Sequence, residues 1–436
     1  MWLACVSHEW VRAVMGRKTS LWSVPSFRGL WVANAAVNAA RGVGVFTISV
    51  AMINVLGASP FEAGLAAPLG SAGPLLFGLF AGVLVDRWGQ RRTMLGATWV
   101  RMLAYGWAVT AFALGWLAAW QMLVVILVIS VADVFSIAAH TSVLPKVVGR
   151  DRVPDAVSSL MATDQVLALT APALGGQLVR LLPAPIVLAV SAIGQGIAGF
   201  GLRKLPPDAV PVEGKPRIPM GEAIRDGLRF MTQHKLLLAL MLTTATNNAA
   251  AGVYTAAQSW FVLKDLRMSP ELFGLVWSIS AIGGIGGALV APKISKRIGP
   301  LRAVFFASLW MPVNFALIPL TALVPHLAFI MITTTFTIFG FVVSVFTVNS
   351  TSTVTALTPD DYLARVAATR RTITQGSLAI GGLLGATLLA AFGAAATLWV
   401  AVGVSALQSA HLLRMGVPRR GHPRPDELPE TGATKA

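Results

Sequence analysis

Four charged side chains lie inside long apolar stretches of this 436-residue chain: Arg41, Arg101, Asp133 and Asp164. Each stretch has roughly 20 predominantly apolar residues, the length that crosses a bilayer. A charge inside hydrocarbon is costly, so such residues mark functional sites or internal ion pairs. A carboxylate in this position exchanges protons or pairs with a cation, and a guanidinium binds an anion. These four residues are therefore the first candidates for chemistry.

Two interpretations of Asp133 stay open. Counted at about 1.5 Å per residue, Asp133 lies about 18 Å and Arg41 about 20 Å from the same membrane face, so the two side chains share a depth. In the first interpretation Asp133 exchanges a proton, with a pKa set by burial and by Arg41. In the second, Asp133 forms a permanent ion pair that only orients helices. Asp164 is a further proton-coupling candidate, or it is a partner of Arg101.

Uncharged polar residues form a second group of candidates. Asn34 and Asn38 are four residues apart, and Asn38 and Arg41 are three residues apart. This spacing places all three on one helix face. The later part of the chain has no acid deep in an apolar stretch and predicts an uncharged, adaptable binding wall. The residues predicted to contact substrate there are Asn247, Asn248, Tyr254, Gln258, Thr333, Thr337 and Gln375.

The elements that must position these residues are membrane-spanning helices. Hydrophobic residues make up 55% of the chain and charged residues 12%, against about 25% charged in soluble proteins. This composition excludes a soluble enzyme, and the single cysteine, Cys5, excludes a disulfide scaffold. The twelve predicted spans are 28–54, 61–85, 94–115, 118–145, 155–181, 183–203, 236–262, 270–292, 302–322, 325–349, 362–390 and 393–413.

The basic residues predict the orientation of these spans. With both termini on one side, nearly all of the 34 Lys and Arg residues fall on that side, whereas Arg180, Lys264 and Arg267 fall on the other. Loops rich in Lys and Arg stay in the cytoplasm. We therefore expect a multi-pass protein of the plasma membrane with both termini cytoplasmic. The net charge of +16 then reflects topology and attraction to anionic lipid, not binding of nucleic acid.

An internal repeat divides the chain. Ser59-Pro60 recurs as Ser269-Pro270, and at the same offset of 210 residues Arg87 matches Arg297 and Gly89 matches Gly299. Parallel six-helix repeats are a known transporter architecture. The expected units are a cytoplasmic extension (1–27), a six-helix bundle (28–203), a linker with an amphipathic helix (204–235), a second six-helix bundle (236–413) and a disordered tail (414–436).

The loop after the second span carries a specific motif, which reads Gly82-Val-Leu-Val-Asp86-Arg87-Trp-Gly89-Gln-Arg91-Arg92. It resembles the G-x-L-x-D-R-x-G-R-R loop of the major facilitator superfamily, with the last basic pair shifted by one residue. The resemblance covers about 28–413 and implies an all-α fold of twelve helices in two pseudo-symmetric bundles. It also implies that Asp86 and the arginines latch the cytoplasmic side shut in one conformation. The stretches 142–156 and 353–371 resemble the drug, macrolide and enterobactin exporter branch.

The fifth span contains Ala171-Pro172-Ala-Leu-Gly175-Gly176, which resembles the G-P-x-x-G-G element of drug–proton antiporters, with Ala171 in place of the first glycine. Proline removes a backbone hydrogen bond and glycines permit close helix contact. Ordinary small-residue packing is the alternative explanation. The element therefore favours export without establishing it.

Together these features predict a proton-coupled exporter of an amphipathic small molecule such as a drug, a macrolide-like natural product or a siderophore. The expected partners are the substrate, protons and the bilayer, and the protein is expected to act as a monomer without cofactor, metal or enzymatic activity. One alternative is an importer of the same fold for a nutrient or siderophore. Another is a membrane scaffold or sensor that transports nothing, but an intact latch motif argues against it.

Overall fold

The computed structural model describes residues 21–78, 80–208 and 220–413. The predicted terminal extension and tail, apart from 21–27, and residues 209–219 of the linker lie outside the described residues, as does the side chain of Asp86. The first bundle consists of α1 (Pro25–Val50), α2 (Pro60–Phe77 and Ala81–Trp88), α3 (Gln90–Ala113), α4 (Ala119–Val148), α5 (Val153–Leu181) and α6 (Ala184–Leu202).

The second bundle consists of α7 (Lys235–Trp260), α8 (Pro270–Ile298), α9 (Pro300–Leu320), α10 (Ala328–Leu357), and α11 and α12 within Asp360–Leu413. The last two helices meet at Gly393, whose φ of 80° breaks the helical backbone. A linker helix, Met220–Gln233, lies between the bundles in the chain. The predicted all-α architecture of twelve helices is confirmed.

Eight described helical stretches are long and apolar enough to cross a membrane by length and composition alone, and one of them, Arg365–His411, covers most of α11 and α12. The helices outside this set are α2, α3 and α5. The segments of α2 are separated around residues 78–80. Helices α3 and α5 carry charged side chains, including Arg101 and Asp164. Helices α1 and α4, which carry Arg41 and Asp133, remain apolar enough to belong to the set.

The two bundles repeat each other in backbone detail at the offset of 210 residues. Helices α1 and α7 have matching bounds, and each continues into one π-helical turn, Ala51–Val55 and Phe261–Asp265. Gly89 and Gly299 have φ of 88° and 89° at matching turns. Since these irregular features recur at one offset, the two bundles share one backbone plan.

The helices have a basic end, where Arg87, Arg91, Arg92, Lys146, Lys296 and Arg297 lie, and an opposite end, where α1 leads into α2. The close contacts between bundles lie towards the opposite end. A methyl group on Gly64 of α2 would overlap Ala386 of α11, and one on Gly176 of α5 would press on Glu271 of α8. Small residues thus allow the bundles to approach closely there.

The linker helix packs against the second bundle at its basic end. Arg365 donates a hydrogen bond to Asp226 at 3.1 Å, and the Phe230 ring stacks on Tyr362 with centroids 4.7 Å apart. The spacing of Ile224, Leu228 and Met231 predicts one apolar face, but in the structure Met231 is buried and Leu228 is exposed. The packed face is centred one position away because Gly227 lets the helix approach α11 closely.

Candidate functional site

A cavity of about 510 Å³ lies in the first bundle, in the half nearer the basic end. Helices α1, α3, α4, α5 and α6 supply its walls. We call it the basic-end cavity. Its polar lining consists of Asn34, Asn38, Arg41, Thr98, Arg101, Asp133, Ser136, His140, Thr141 and Asp164, and the rest is apolar. All four intramembrane charges predicted from the sequence therefore meet in one place.

Asp133 pairs with Arg101 and not with Arg41. The Arg101 Nη1 lies 2.7 Å from Asp133 Oδ1, and the side chains are 2% and 21% exposed. The same guanidinium donates from Nε to Gln195 Oε1 at 3.0 Å and from Nη2 to Thr98 Oγ1 at 3.3 Å. The suggested pairing of Arg101 with Asp164 is therefore wrong, because Arg101 is held by neighbours on α3, α4 and α6.

Asp164 is held by amides instead of a cation. Asn34 Nδ2 donates to Asp164 Oδ1 at 2.6 Å, and Asn38 Nδ2 donates to the same oxygen at 2.9 Å. Trp31, one turn before this pair on α1, donates to Thr163 Oγ1 at 2.9 Å and fixes α1 against α5. Within the described part of the chain Asp164 makes no ion pair, and the ionisable group that acts on it electrostatically is His140 of α4, in the same cavity. The Asp164 carboxylate is thus bound in a way that tolerates loss of its charge.

Arg41 lies between the basic-end cavity and a second, central cavity of about 330 Å³. Both cavities include Arg41 and Asp133 in their lining, and the central cavity adds Gln258 and Trp277 from the second bundle. Arg41 is exposed to this space and makes no ion pair within the described region. It is therefore a cation available to a ligand at the junction of the two bundles.

Of the candidates in the second bundle, Gln258 lines the central cavity, and the others line neither cavity. Tyr254 is only 5% exposed and packs on Phe315 with ring centroids 4.9 Å apart, so it is a core residue here. The side chains of Asn248, Thr333 and Thr337 donate to carbonyls of their own helices. Asn247 is buried, with its Oδ1 unpaired among described residues, and Gln375 is half-buried.

The signature loop (residues 82–92) is held by the chain segment where α6 ends and the linker begins. The Asp208 carboxylate accepts hydrogen bonds from the backbone N–H groups of Arg91 at 2.7 Å and Arg92 at 3.1 Å, at the N-terminus of α3. These hydrogen bonds satisfy backbone N–H groups in the first turn of α3 that have no partner within the helix. They also place a negative charge at the positive end of the helix dipole. Arg91 also donates from Nη2 to the Arg203 carbonyl at 3.0 Å. Gly82 and Arg87 are exposed.

Gly89 is needed at this loop for two reasons that can be separated. Its φ is 88°, and a methyl group there would overlap Asp208. The ψ of 143° at Gly89 places this backbone outside the left-handed helical region, in a conformation that glycine alone adopts readily. Gly89→Ala is therefore expected to lower the free energy of unfolding by about 1–3 kcal/mol from the backbone alone, and further through the overlap. Gly149→Ala has only the backbone cost, since its φ of 80° and ψ of 152° resemble those of Gly89 and its surroundings are open, and Gly96→Ala has neither. Thermal unfolding in detergent that ranks Gly89→Ala no lower than Gly149→Ala would refute the Asp208 contact.

The Ala171–Gly176 element lies at the seam between α5, α1 and α8. Gly175 packs on Val43 and Phe46 of α1, and Gly274 of α8 approaches the carbonyl of Pro172. The backbone N–H of Ala173, which follows the proline, donates to Ser278 Oγ across the seam at 2.9 Å. Through this hydrogen bond and the Gly274 contact, the element joins the two bundles at a point where Pro172 removes a backbone donor from α5.

Three residues that complete these sites do not appear among the sequence candidates. Gln195 is a polar residue within an apolar span, so its position was itself a signal. Ser278 and Asp208 gave none, because a single serine in a helix and a single acid in a linker are common. His140 also lines the basic-end cavity, and its Nε2 has no hydrogen-bond partner among described residues.

The sequence matches the profile of the Major Facilitator Superfamily over residues 30–311 and 240–436. The enterobactin exporter EntS of Escherichia coli O127:H6 is 25% identical over 386 residues, which cover 86% of each chain. EntS of Shigella dysenteriae serotype 1 is similar to the same extent.

Solved structures share the fold at low sequence identity. The nucleoside transporter NupG has a TM-score of 0.74 and 13% identity, covering 90% of this chain and 99% of that one. A bacterial homologue of the iron transporter ferroportin has a TM-score of 0.71 and 12% identity, covering 89% of this chain and 98% of that one.

Proposed function

Because this chain belongs to the Major Facilitator Superfamily of transporters, we propose that it exports an amphipathic small molecule in exchange for protons. The observation that carries the proposal is Asp164, a carboxylate in the basic-end cavity that accepts hydrogen bonds from two amides and forms no ion pair with any described residue. The similarity to enterobactin exporters and the antiporter-like element on α5 support the direction.

The two acids of the cavity have different roles in this proposal. Protonation of Asp133 would leave the buried Arg101 guanidinium without its counter-ion, and an uncompensated buried charge is strongly destabilising. Protonation of Asp164 leaves no such charge, and Asn34 and Asn38 offer amide oxygens to which a neutral carboxyl group can donate. Asp164 is therefore the proton carrier, and Asp133 maintains the packing of α3 against α4.

The basic end faces the cytoplasm in this account, as the distribution of Lys and Arg predicts. The bundles touch towards the opposite end, and the basic-end cavity lies on the cytoplasmic side of these contacts. The structure then represents the inward-open conformation. In the outward-open conformation the signature loop would close the cytoplasmic side, and contacts such as the Ala173–Ser278 hydrogen bond would break.

The cavity chemistry fits an amphipathic substrate. Apolar residues of α4 and α5 surround the polar cluster, and Arg41, which forms no ion pair with a described residue, supplies a positive charge where the two cavities meet. A ligand with an acidic or strongly polar group and an apolar body would satisfy both parts of this wall.

Transport in inside-out membrane vesicles tests the direction. With the vesicle lumen acidified, we expect the wild-type protein to accumulate at least one of radiolabelled enterobactin, erythromycin and ethidium, and we expect a protonophore to abolish the accumulation. Pro172→Ala is expected to slow accumulation because α5 would stiffen. Uptake confined to right-side-out vesicles with an acidic exterior would identify an importer and overturn the proposal.

A further inference from the structure

A groove runs along the outer surface of the first bundle, between α3 and α6, away from the transport cavities. Its longer part, about 870 Å³, is lined by α3 and α6, and its shorter part, about 400 Å³, reaches α1 at the basic end. The two parts adjoin at Ile197 and Phe200 of α6, whose exposed side chains border both. This surface faces lipid in a protein that spans the membrane with this fold.

The basic end of the groove carries positive charge. Arg28 lies in the first turn of α1 and Lys204 just beyond the end of α6, and both are exposed and line the shorter part. Arg203 lies next to Lys204, with its guanidinium 5.1 Å from the centre of the Phe200 ring. Among the described residues, no acid lines either part. Neither Arg28 nor Lys204 forms an ion pair with any described residue.

The rest of the groove is apolar and has a glycine floor. Gly106 of α3 has open space where a side chain would lie, and Gly196 of α6 has only the sulfur of Met102 nearby, at 3.7 Å from a built Cβ. The exposed side chains of Leu103, Trp107 and Ile193 form the walls. From Lys204 to Ala192 along α6 is about 18 Å, close to the roughly 15 Å depth of one leaflet's hydrocarbon.

We propose that this groove binds one anionic phospholipid, with the phosphate at Arg28 and Lys204 and one acyl chain between α3 and α6. The charge complementarity is direct, because unpaired basic residues at the membrane interface attract anionic headgroups. The depression is apolar where the chain lies and basic only where the headgroup lies. Gly106 and Gly196 have no side chains, so the groove is deep enough there for an acyl chain.

Native mass spectrometry of the purified full-length protein tests the headgroup contact. The protein is titrated with dioleoyl phosphatidylglycerol and, separately, with dioleoyl phosphatidylcholine, which has the same chains and no net charge. We expect one phosphatidylglycerol to bind with clear preference, and R28A/K204A to weaken that binding by about thirtyfold, since each basic residue contributes about 1 kcal/mol. The control K293A/K296A removes two exposed lysines at the basic end of α8, away from the groove, and is expected to keep the preference.

Filling the groove tests the chain contact. Gly106→Leu and Gly196→Leu are expected to lower phosphatidylglycerol binding, whereas Gly96→Leu, another glycine of α3 with open surroundings, is expected to leave it unchanged. Thermal unfolding of each variant shows whether it is folded. Equal binding of the two lipids by the wild type, or R28A/K204A binding like K293A/K296A, would overturn the proposal. So would Gly106→Leu and Gly196→Leu variants that bind like Gly96→Leu.

Discussion

Asp164→Asn is expected to reduce proton-driven accumulation in inside-out vesicles to the level of vesicles that lack the protein. Asparagine keeps the size and hydrogen bonding of the side chain but cannot carry a proton. Exchange of labelled for unlabelled substrate without a proton gradient is expected to continue, because it does not require proton release. The measurement is the ratio of proton-driven accumulation to substrate exchange for each variant. The substrate is whichever of the three labelled compounds the wild-type protein transports.

The matched control is Asp155→Asn, which removes an acid from the exposed first turn of the same helix. This variant is expected to accumulate substrate like the wild type, since Asp155 lies outside the cavity. Driven accumulation by Asp164→Asn at the wild-type rate would exclude Asp164 as the proton carrier.

Asp133→Asn is expected to act mainly on stability. Removal of one partner leaves the Arg101 charge buried without compensation, which costs on the order of 3 kcal/mol, the lower end of the usual range because Asp133 is partly exposed. Thermal unfolding in detergent is expected to show a clearly lower midpoint than the wild type. The corresponding change at Asp164 leaves no cation unpaired, so Asp164→Asn is expected to unfold close to the wild-type midpoint.

The double variant Arg101→Leu/Asp133→Leu removes both charges and is expected to recover part of the lost stability. Recovery is incomplete because Gln195, buried on α6, loses the guanidinium that it binds. A double variant less stable than Asp133→Asn alone would show that the unpaired charge is not the cause. If Asp133→Asn were as stable as the wild type but lost driven transport, Asp133 and not Asp164 would be the residue that couples transport to protons.

The helices and their repeat could be predicted from the sequence because each helix is indicated by its own residues and the same motifs occur in both halves of the chain. Each span is a run of apolar residues, and Ser59-Pro60 and Ser269-Pro270 mark the starts of α2 and α8 in both bundles. Gly89 could be assigned to a tight turn because of the motif around it, and its φ of 88° agrees. These features depend on composition and on backbone chemistry.

The partners of the buried charges could not be predicted in the same way. Counting residues gives the depth of a side chain in the membrane but not the direction in which it points around its helix. Arg41, Arg101 and Asp133 lie at comparable depths, and only the packing of α3 against α4 and α6 brings Arg101 to Asp133. Asn34 and Asn38 were grouped with Arg41 by spacing, yet their amides bind Asp164 on α5.

For the binding wall predicted in the second bundle, the sequence does not indicate which way each polar side chain points. Polar residues in a span face a cavity, a neighbouring helix or their own backbone, and composition does not distinguish these. Tyr254 packs among phenylalanines, and Thr333 and Thr337 bond to their own helix. Gln258 alone of that set lines a described cavity.

The central claim is that protonation of Asp164 controls which end of the protein is open. Spin labels at Ser142→Cys and Thr351→Cys, both exposed near the basic ends of α4 and α10, report the separation of the bundles there. Cys5→Ser removes the native cysteine. Double electron–electron resonance measures the label separation at pH 5 and pH 8 in liposomes.

In an antiporter the protonated form returns the empty carrier to the inward-open conformation. The account therefore predicts a longer separation at pH 5 than at pH 8 in the otherwise wild-type protein. It also predicts a long separation at both pH values in Asp164→Asn, whose neutral side chain imitates the protonated carboxyl group. A separation that does not depend on pH in the wild type, or that responds to pH equally in Asp164→Asn, would contradict the account.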